Sequence, residues 1–244
     1  MANFVLVHGA WHGGWCWRDV AQALVCKGHR AHAITLTGVG ERAHLLSPAI
    51  TLETHIADVV NSIVAEELDD VVLAVHSYAG MIGTAIADRH RQLLHHLVYL
   101  DAVVPRPGES WSSTHPRATR EARLEAARQS PDFSFPTPDT SAYGLSADQQ
   151  AWLARRLTPH PGHTYEAPLD FDPRRVARVP RTFVNCTLPA LPTIDAIRLR
   201  VVDRNFWGGA WTGGGGGRVV KLRTGHDAMI SAPDELTAIL EACG

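Results

Sequence analysis

Cysteine is scarce in this chain: four residues in 244, at positions 16, 26, 186 and 243, with no C-x-x-C spacing. That excludes a thiolate zinc site and a disulfide framework, and free thiols fit a reducing, cytoplasmic setting. Lysine is scarcer still. Only Lys27 and Lys221 occur and the formal net charge is −2, so no basic stripe is available to grip nucleic acid. No apolar run is long enough to cross a bilayer. Asn3 leads directly into Phe4-Val5-Leu6-Val7, without the basic region and apolar core of a secretory signal. No H-E-x-x-H pair is present, adjacent His95 and His96 would not face one ion, and His160 and His163 stand in a proline-rich stretch. A catalytic metal is therefore not expected. The glycine run 213–217 is followed by no Lys-Ser or Lys-Thr, so it is not a phosphate loop.

What the chain does have is apolar residues, 45% of the total, enough for an ordinary core. Six short apolar or β-branched runs recur, at residues 4–8, 31–36, 71–76, 97–101, 182–186 and 219–222. The first four alternate with helical patterns at 17–27, 55–67 and 78–90. Near-continuous apolar strands alternating with helices predict an α/β fold: a mostly parallel six-stranded sheet covered by helices on both faces. A last helix is predicted over 233–242, with Ser231 as its cap. Residues 105–180 break the alternation. No strand is predicted there, but two helices are, at 118–129 and 146–157, the second opened by the capping-box pattern Ser146-Ala-Asp-Gln149. Aromatic residues scattered through this stretch argue against disorder. The predicted organisation is a core of residues 1–104 and 181–244, with 105–180 as a helical cap inserted after the fourth strand.

One motif carries chemistry. Val71-Val72-Leu73-Ala74-Val75-His76-Ser77-Tyr78-Ala79-Gly80 reads as a buried strand, one serine, then small residues opening a helix. A serine at so sharp a turn is thrust out of the sheet, beside N–H groups that have no intrahelical acceptor. Ser77 is the candidate nucleophile. The glycine-rich turn His8-Gly9-Ala10-Trp11-His12-Gly13-Gly14 lets backbone approach a substrate, so the N–H groups of Ala10 and Tyr78 are candidate oxyanion donors. His226, in Thr224-Gly225-His226-Asp227, follows the last strand and is the candidate base. The acid is less defined. Asp101 ends the fourth strand and is preferred; Asp195 lies beyond Cys186 and is the alternative; Asp203 is a distant third.

The run from Phe4 to Trp17 resembles the N-terminus of the α/β-hydrolase branch that holds plant methylesterases, hydroxynitrile lyases and bacterial pyrethroid-hydrolase-like esterases. Leu36-Thr37-Gly38-Val39-Gly40-Glu41-Arg42, residues 97–105 and Thr224 to Met229 match the bacterial esterases best. The resemblance implies the α/β-hydrolase fold, a cap over a serine–histidine site, no cofactor, and ester or related substrates. It carries Ser77 over as nucleophile, His226 as base, and Ala10 with Tyr78 as oxyanion donors. Two departures stand out. Val75 and Ala79 flank the serine where that group has glycines, and Pro189 stands where the plant enzymes carry their acid. The lyases' threonine and lysine are replaced by Gly9 and Asp227.

The resulting expectation is a hydrolase cleaving bulky hydrophobic or aromatic carboxylic esters, with Gly9, Trp11, Trp15, Trp111 and Trp152 lining the pocket. Its partner is a small hydrophobic ester, not nucleic acid or membrane, and a homodimer is left open. A cyclase or lyase of secondary metabolism using the same pocket, or a ligand binder without catalysis, are the alternatives.

Overall fold

The computed structural model describes residues 1–203, 205–209 and 217–244. Its strands are β1 (Asn3–Val7), β2 (Arg30–Ile34), β3 (Val71–His76), β4 (Leu94–Leu100), β5 (Ser134–Phe135), β6 (His160–Pro161), β7 (Arg181–Cys186) and β8 (Gly217–Leu222). Six of them form one sheet in the order β2-β1-β3-β4-β7-β8, with every neighbouring pair parallel.

The apolar runs explain the layering. All six residues of β3 are buried. Side chains alternate between faces along a strand, so Val71, Leu73 and Val75 join one core cluster while Val72 and Ala74 join the other. The first face is covered by α2 (Leu52–Ala65) and α3 (Gly80–Arg89). The second is covered by α1 (Arg18–Cys26) and the helix Pro233–Glu241, whose Leu236 and Leu240 share a cluster with Val20 and Leu24. Each such fully buried Val or Leu contributes roughly 2 kcal/mol relative to exposure. Thr51 and Thr54 close a reciprocal cap that starts α2.

Parallel strands deliver all their C-terminal ends to one edge. The loops after β1, β3, β4 and β8 therefore meet, and the strand order reverses direction between β1 and β3, the crevice where open α/β sheets place ligands.

Between β4 and β7 the chain carries α4 (Arg117–Gln129) and α5 (Ala147–Ala154), the latter opened by the Ser146–Gln149 capping box. Two readings from sequence are corrected here. The stretch does contain strands: β5 and β6 pair antiparallel, Ser134 with Pro161 and Phe135 with His160. Two-residue strands are too short to leave a periodic signal. Ser231 does not cap the last helix. It ends a separate turn, Ala228–Ser231, with its hydroxyl 2.5 Å from that of Thr224, and Ala232 takes the cap position. Of the glycine run only Gly217 lies within the described residues, as the first residue of β8; residues 213–216 lie outside them. No described helix is long and apolar enough to cross a membrane.

Candidate active site

Ser77 follows β3 with φ +54°, the left-handed region that L-residues avoid. The turn is held by its surroundings, since the Ser77 carbonyl accepts the N–H of Val103 at 2.9 Å. Val75, which stands where glycine is usual, is accommodated from the other side. A Cβ on Gly83 of α3 would sit 3.0 Å from both Val75 methyls, so the volume missing at 83 is the volume present at 75. Asp101 (φ +41°) and Trp11 (φ +66°) are in the same backbone region, so three loops at this edge store strain at one place.

The side chains meet. His226 Nε2 lies 3.1 Å from Ser77 Oγ, and His226 Nδ1 lies 2.8 Å from Asp101 Oδ2. A carboxylate oxygen accepts, so the imidazole places its proton on Nδ1 and leaves Nε2 to accept from the hydroxyl. Ser77 is half-buried, while Asp101 and His226 are buried. The Asp101 carboxylate also receives Arg198 Nη2 at 2.8 and 3.1 Å and the N–H of Cys186 at 3.4 Å. Gly9 lies against the pair: a Cβ there would come within 2.7 Å of Ser77 Cβ.

Asp195 does not reach the histidine. It is exposed on the helix Asp195–Val202, and its carboxylate bonds Arg198 Nη1 at 2.8 Å. Arg198 thus sits between the two candidate acids and touches both. Sequence reading missed it, although its i+3 spacing from Asp195 was a signal.

Aromatic residues gather beside Tyr78. Its ring centroid is 5.0 Å from that of Trp111, and Trp111 packs edge-on against Trp11 at 5.8 Å and Tyr165 at 4.9 Å. The Arg123 guanidinium lies over Trp11, Trp111 and Tyr165 at 5.3 to 5.5 Å. Trp11 and Arg123 also border a cleft of about 220 Å³ with Phe135 and Pro136. Trp15 and Trp152 form a second aromatic pair. They pack edge-on at 5.2 Å and line another cleft with Cys16, Asp148 and Gln149; neither this cleft nor the one at Trp11 is lined by Ser77 or His226. Trp15 belongs to the turn Gly14–Trp17 and also stacks on His12 at 5.6 Å. Tyr143, unforeseen from sequence, packs edge-on against His226 at 5.4 Å.

Several other histidines crowd in, and their hydrogen bonds define the tautomers of His8 and His55. His8 lies 2.7 Å from the Gly9 carbonyl through Nδ1 and accepts the Leu36 N–H at Nε2, tying β1 to the chain after β2; burial holds its pKa down at about 3. His55 donates to the Thr37 carbonyl and accepts from the Tyr78 hydroxyl, with burial lowering its pKa to about 4. Asp227, fully buried, approaches His12 Nε2 at 3.1 Å and His76 Nε2 at 3.6 Å. Burial alone would raise its pKa; the charge and hydrogen bond of His12 overcome this and hold it at about 2. His76, His226 and Asp227 offer atoms within 4.8 Å of one another. Both nitrogens of His226 and Oδ2 of Asp227 are engaged by protein groups, while His76 Nδ1 and Asp227 Oδ1 are buried without a hydrogen-bond partner.

Comparison with known proteins agrees with this architecture. The alpha/beta hydrolase family model matches residues 4–239. The chain belongs to the alpha/beta hydrolase family. Among relatives of this hydrolase, the carbendazim hydrolyzing esterase of Nocardioides sp. (strain SG-4G) is 41% identical over the full length of both chains. Methylesterase 7 of Arabidopsis thaliana is 26% identical over 98% of this chain and 94% of its own. In fold, an extracellular alpha/beta-hydrolase from a Paenibacillus species superposes with TM-score 0.83 at 18% identity, covering 100% of this chain and 99% of its own.

Proposed function

We propose that this hydrolase is a serine esterase acting on bulky hydrophobic or aromatic carboxylic esters through an acyl-enzyme. The observation that carries the reading is the continuous relay from Ser77 Oγ through His226 to Asp101, at 3.1 and 2.8 Å. In this scheme His226 takes the Ser77 proton as the oxygen attacks the ester carbonyl. Asp101, itself anchored by Arg198, stabilises the imidazolium that forms. The N–H groups of Ala10 and Tyr78 bind the tetrahedral oxyanion, a contribution that typically amounts to a few kcal/mol per donor. His226 then protonates the departing alcohol, and water, deprotonated by the same histidine, releases the acid and restores Ser77.

Substrate class rests on the wall. Trp11 and Arg123 border a cleft, with buried Trp111 and Tyr165 packed behind them, and this lining suits a flat, electron-rich or acceptor-bearing group. The relatives named as an esterase of carbendazim and as a methylesterase support ester chemistry at such a site. Residues 105–180 act as the cap that supplies Trp111, Arg123 and Tyr165, while Trp11 comes from the loop after β1. The free thiols of Cys16, Cys26, Cys186 and Cys243 support a cytoplasmic location.

The test is labelling by a fluorophosphonate together with turnover of an aryl-ester panel, in the wild type and in Ser77→Ala. Labelling and turnover that both vanish in the variant are the expected result. Turnover that survives in the variant refutes the reading; labelling without turnover moves the chemistry to another reaction at the same serine.

A further inference from the structure

Trp11 holds a backbone conformation it would not choose, and the peptide that joins it to Ala10 is gripped at both ends. The Ala10 carbonyl accepts from His12 Nδ1 at 2.7 Å. The Trp11 N–H donates to His160 Nδ1 at 3.4 Å. His160 is buried and its Nε2 faces Thr164 Oγ1 at 3.1 Å, while that hydroxyl donates to the Pro161 carbonyl at 2.7 Å. The threonine oxygen is thus left to accept, so His160 carries its proton on Nε2 and offers a lone pair at Nδ1. His12 faces two acceptors, the Ala10 carbonyl and, at 3.1 Å, Asp227 Oδ2. Both contacts form only if both of its nitrogens carry protons.

We propose that His12, His160 and Asp227 are positioning residues of the oxyanion loop: two imidazoles clamp the Ala10–Trp11 peptide, and Asp227 holds His12 as a buried imidazolium. The proposal rests on the esterase reading above, in which the Ala10 N–H meets the oxyanion. The Ala10 N–H belongs to the preceding peptide, whose Gly9 carbonyl receives His8 Nδ1 at 2.7 Å, so holding the next plane as well restricts Ala10 at both ends and with it the aim of that N–H. An oxyanion donor is effective only when held in place before charge develops. Asp227 also follows His226 directly, so a single loop carries the base and the anchor of the oxyanion loop.

The surroundings suit a fixed charge pair. His12 and Asp227 are both buried. Trp15 stacks on the His12 ring at 5.6 Å, the His76 ring stands edge-on to it at 5.8 Å, and His76 in turn lies 4.5 Å from the His226 ring. Of the other titratable neighbours of Asp227, burial keeps the thiols of Cys16 and Cys186 and the hydroxyl of Tyr143 protonated, and His226 is engaged by Ser77 and Asp101. His76 is driven to the neutral form by burial and by the nearby His226. Among the described residues that leaves His12 as the one cation in hydrogen-bond contact with Asp227. Burial disfavours this charge, and the Asp227 carboxylate more than compensates.

The experiment compares His12→Asn with His12→Gln, each combined with Asp227→Asn so that no buried charge is stranded. An Asn amide reaches roughly where Nδ1 stood and still grips the Ala10 carbonyl; a Gln amide reaches where Nε2 stood and does not. With an aryl ester, the Asn pair is expected to keep kcat within about fivefold of wild type. The Gln pair is expected to lose roughly 30-fold in kcat with KM little changed, because an oxyanion donor acts in the transition state. Affinity for an aryl trifluoromethyl ketone, whose hemiketal oxygen needs the same N–H, should fall in parallel. Nitrogen-15 NMR of the wild type at neutral pH should show both His12 nitrogens protonated. Equal kcat and inhibitor affinity in the two variants, or a singly protonated His12, overturns the proposal. A wild type that turns over no ester defeats the esterase reading separately, and inhibitor binding with NMR still decides the clamp.

Discussion

Replacing Asp101 by Asn keeps its size and shape and removes its charge, and the contacts around it fix the consequence. All the neighbours of this carboxylate are donors: His226 Nδ1 at 2.8 Å, Arg198 Nη2 at 2.8 and 3.1 Å, and the Cys186 N–H at 3.4 Å. An amide has one acceptor oxygen and one donor group. With its oxygen towards Arg198 and Cys186, its NH₂ meets His226 Nδ1 and drives the imidazole proton to Nε2, where it cannot accept from Ser77. Turned round, the NH₂ opposes a largely buried guanidinium. Under the proposed mechanism kcat should fall by about 10³- to 10⁴-fold, or about 4–5.5 kcal/mol of transition-state stabilisation, with KM moving far less. Stability should fall by only about 1–3 kcal/mol. Arg198 keeps Asp195, Asn185 and the carbonyls of Leu191 and Cys186 as partners. Asp195→Asn is the control. Its side chain is 64% exposed, and kcat should change by less than about twofold, as at most surface positions. Steady-state kinetics on an aryl ester and thermal unfolding of both variants measure this. A D101N enzyme within tenfold of wild type, or a D195N enzyme as impaired as D101N, refutes the assignment of the acid.

Other outcomes are equally specific. Gly83→Ala places a methyl 3.0 Å from Val75 and Leu97 and should destabilise by about 1–3 kcal/mol; Val75→Ala in the same chain should recover part of that loss, and purely additive unfolding free energies would break the claimed exchange of volume. Trp111→Ala should raise KM for aryl esters at least about tenfold, since an aromatic anchor is lost, while Trp152→Ala leaves kinetics unchanged; a matching loss in Trp152→Ala would place that residue in the pocket. His8 and His55 are neutral in the fold, with pKa values held by burial at about 3 and about 4. Both take up protons on unfolding below pH 6.5, so the unfolded state binds more protons and stability falls as pH drops from 6.5 towards those values. Each should remove about 2 kcal/mol by pH 5; urea midpoints that stay flat from pH 7 to pH 5 would contradict this.

How much was legible in sequence depends on the range of the forces involved. The Ser77 turn, the parallel sheet and the capping box at Ser146 each arise from a few adjacent residues, and a run such as Val71–His76 can hardly be other than a strand buried on both faces. Strands β5 and β6 were missed because two residues make no period. Ser231 was misread because a serine before a proline looks like a cap even when a one-turn helix already precedes it.

By itself the chain determined a serine held out at the end of a buried strand, a histidine after the last strand, and an α/β sheet to carry them. These depend on local backbone geometry and side-chain alternation, which neighbouring residues dictate. Only the tertiary structure decided that Asp101 rather than Asp195 reaches His226, that Arg198 stands between them, and that His12, Asp227 and His160 close around one peptide. Those contacts join residues far apart in the chain. They form because parallel strands bring their C-terminal ends to a single edge, and there burial leaves each polar group only the partners that the fold supplies.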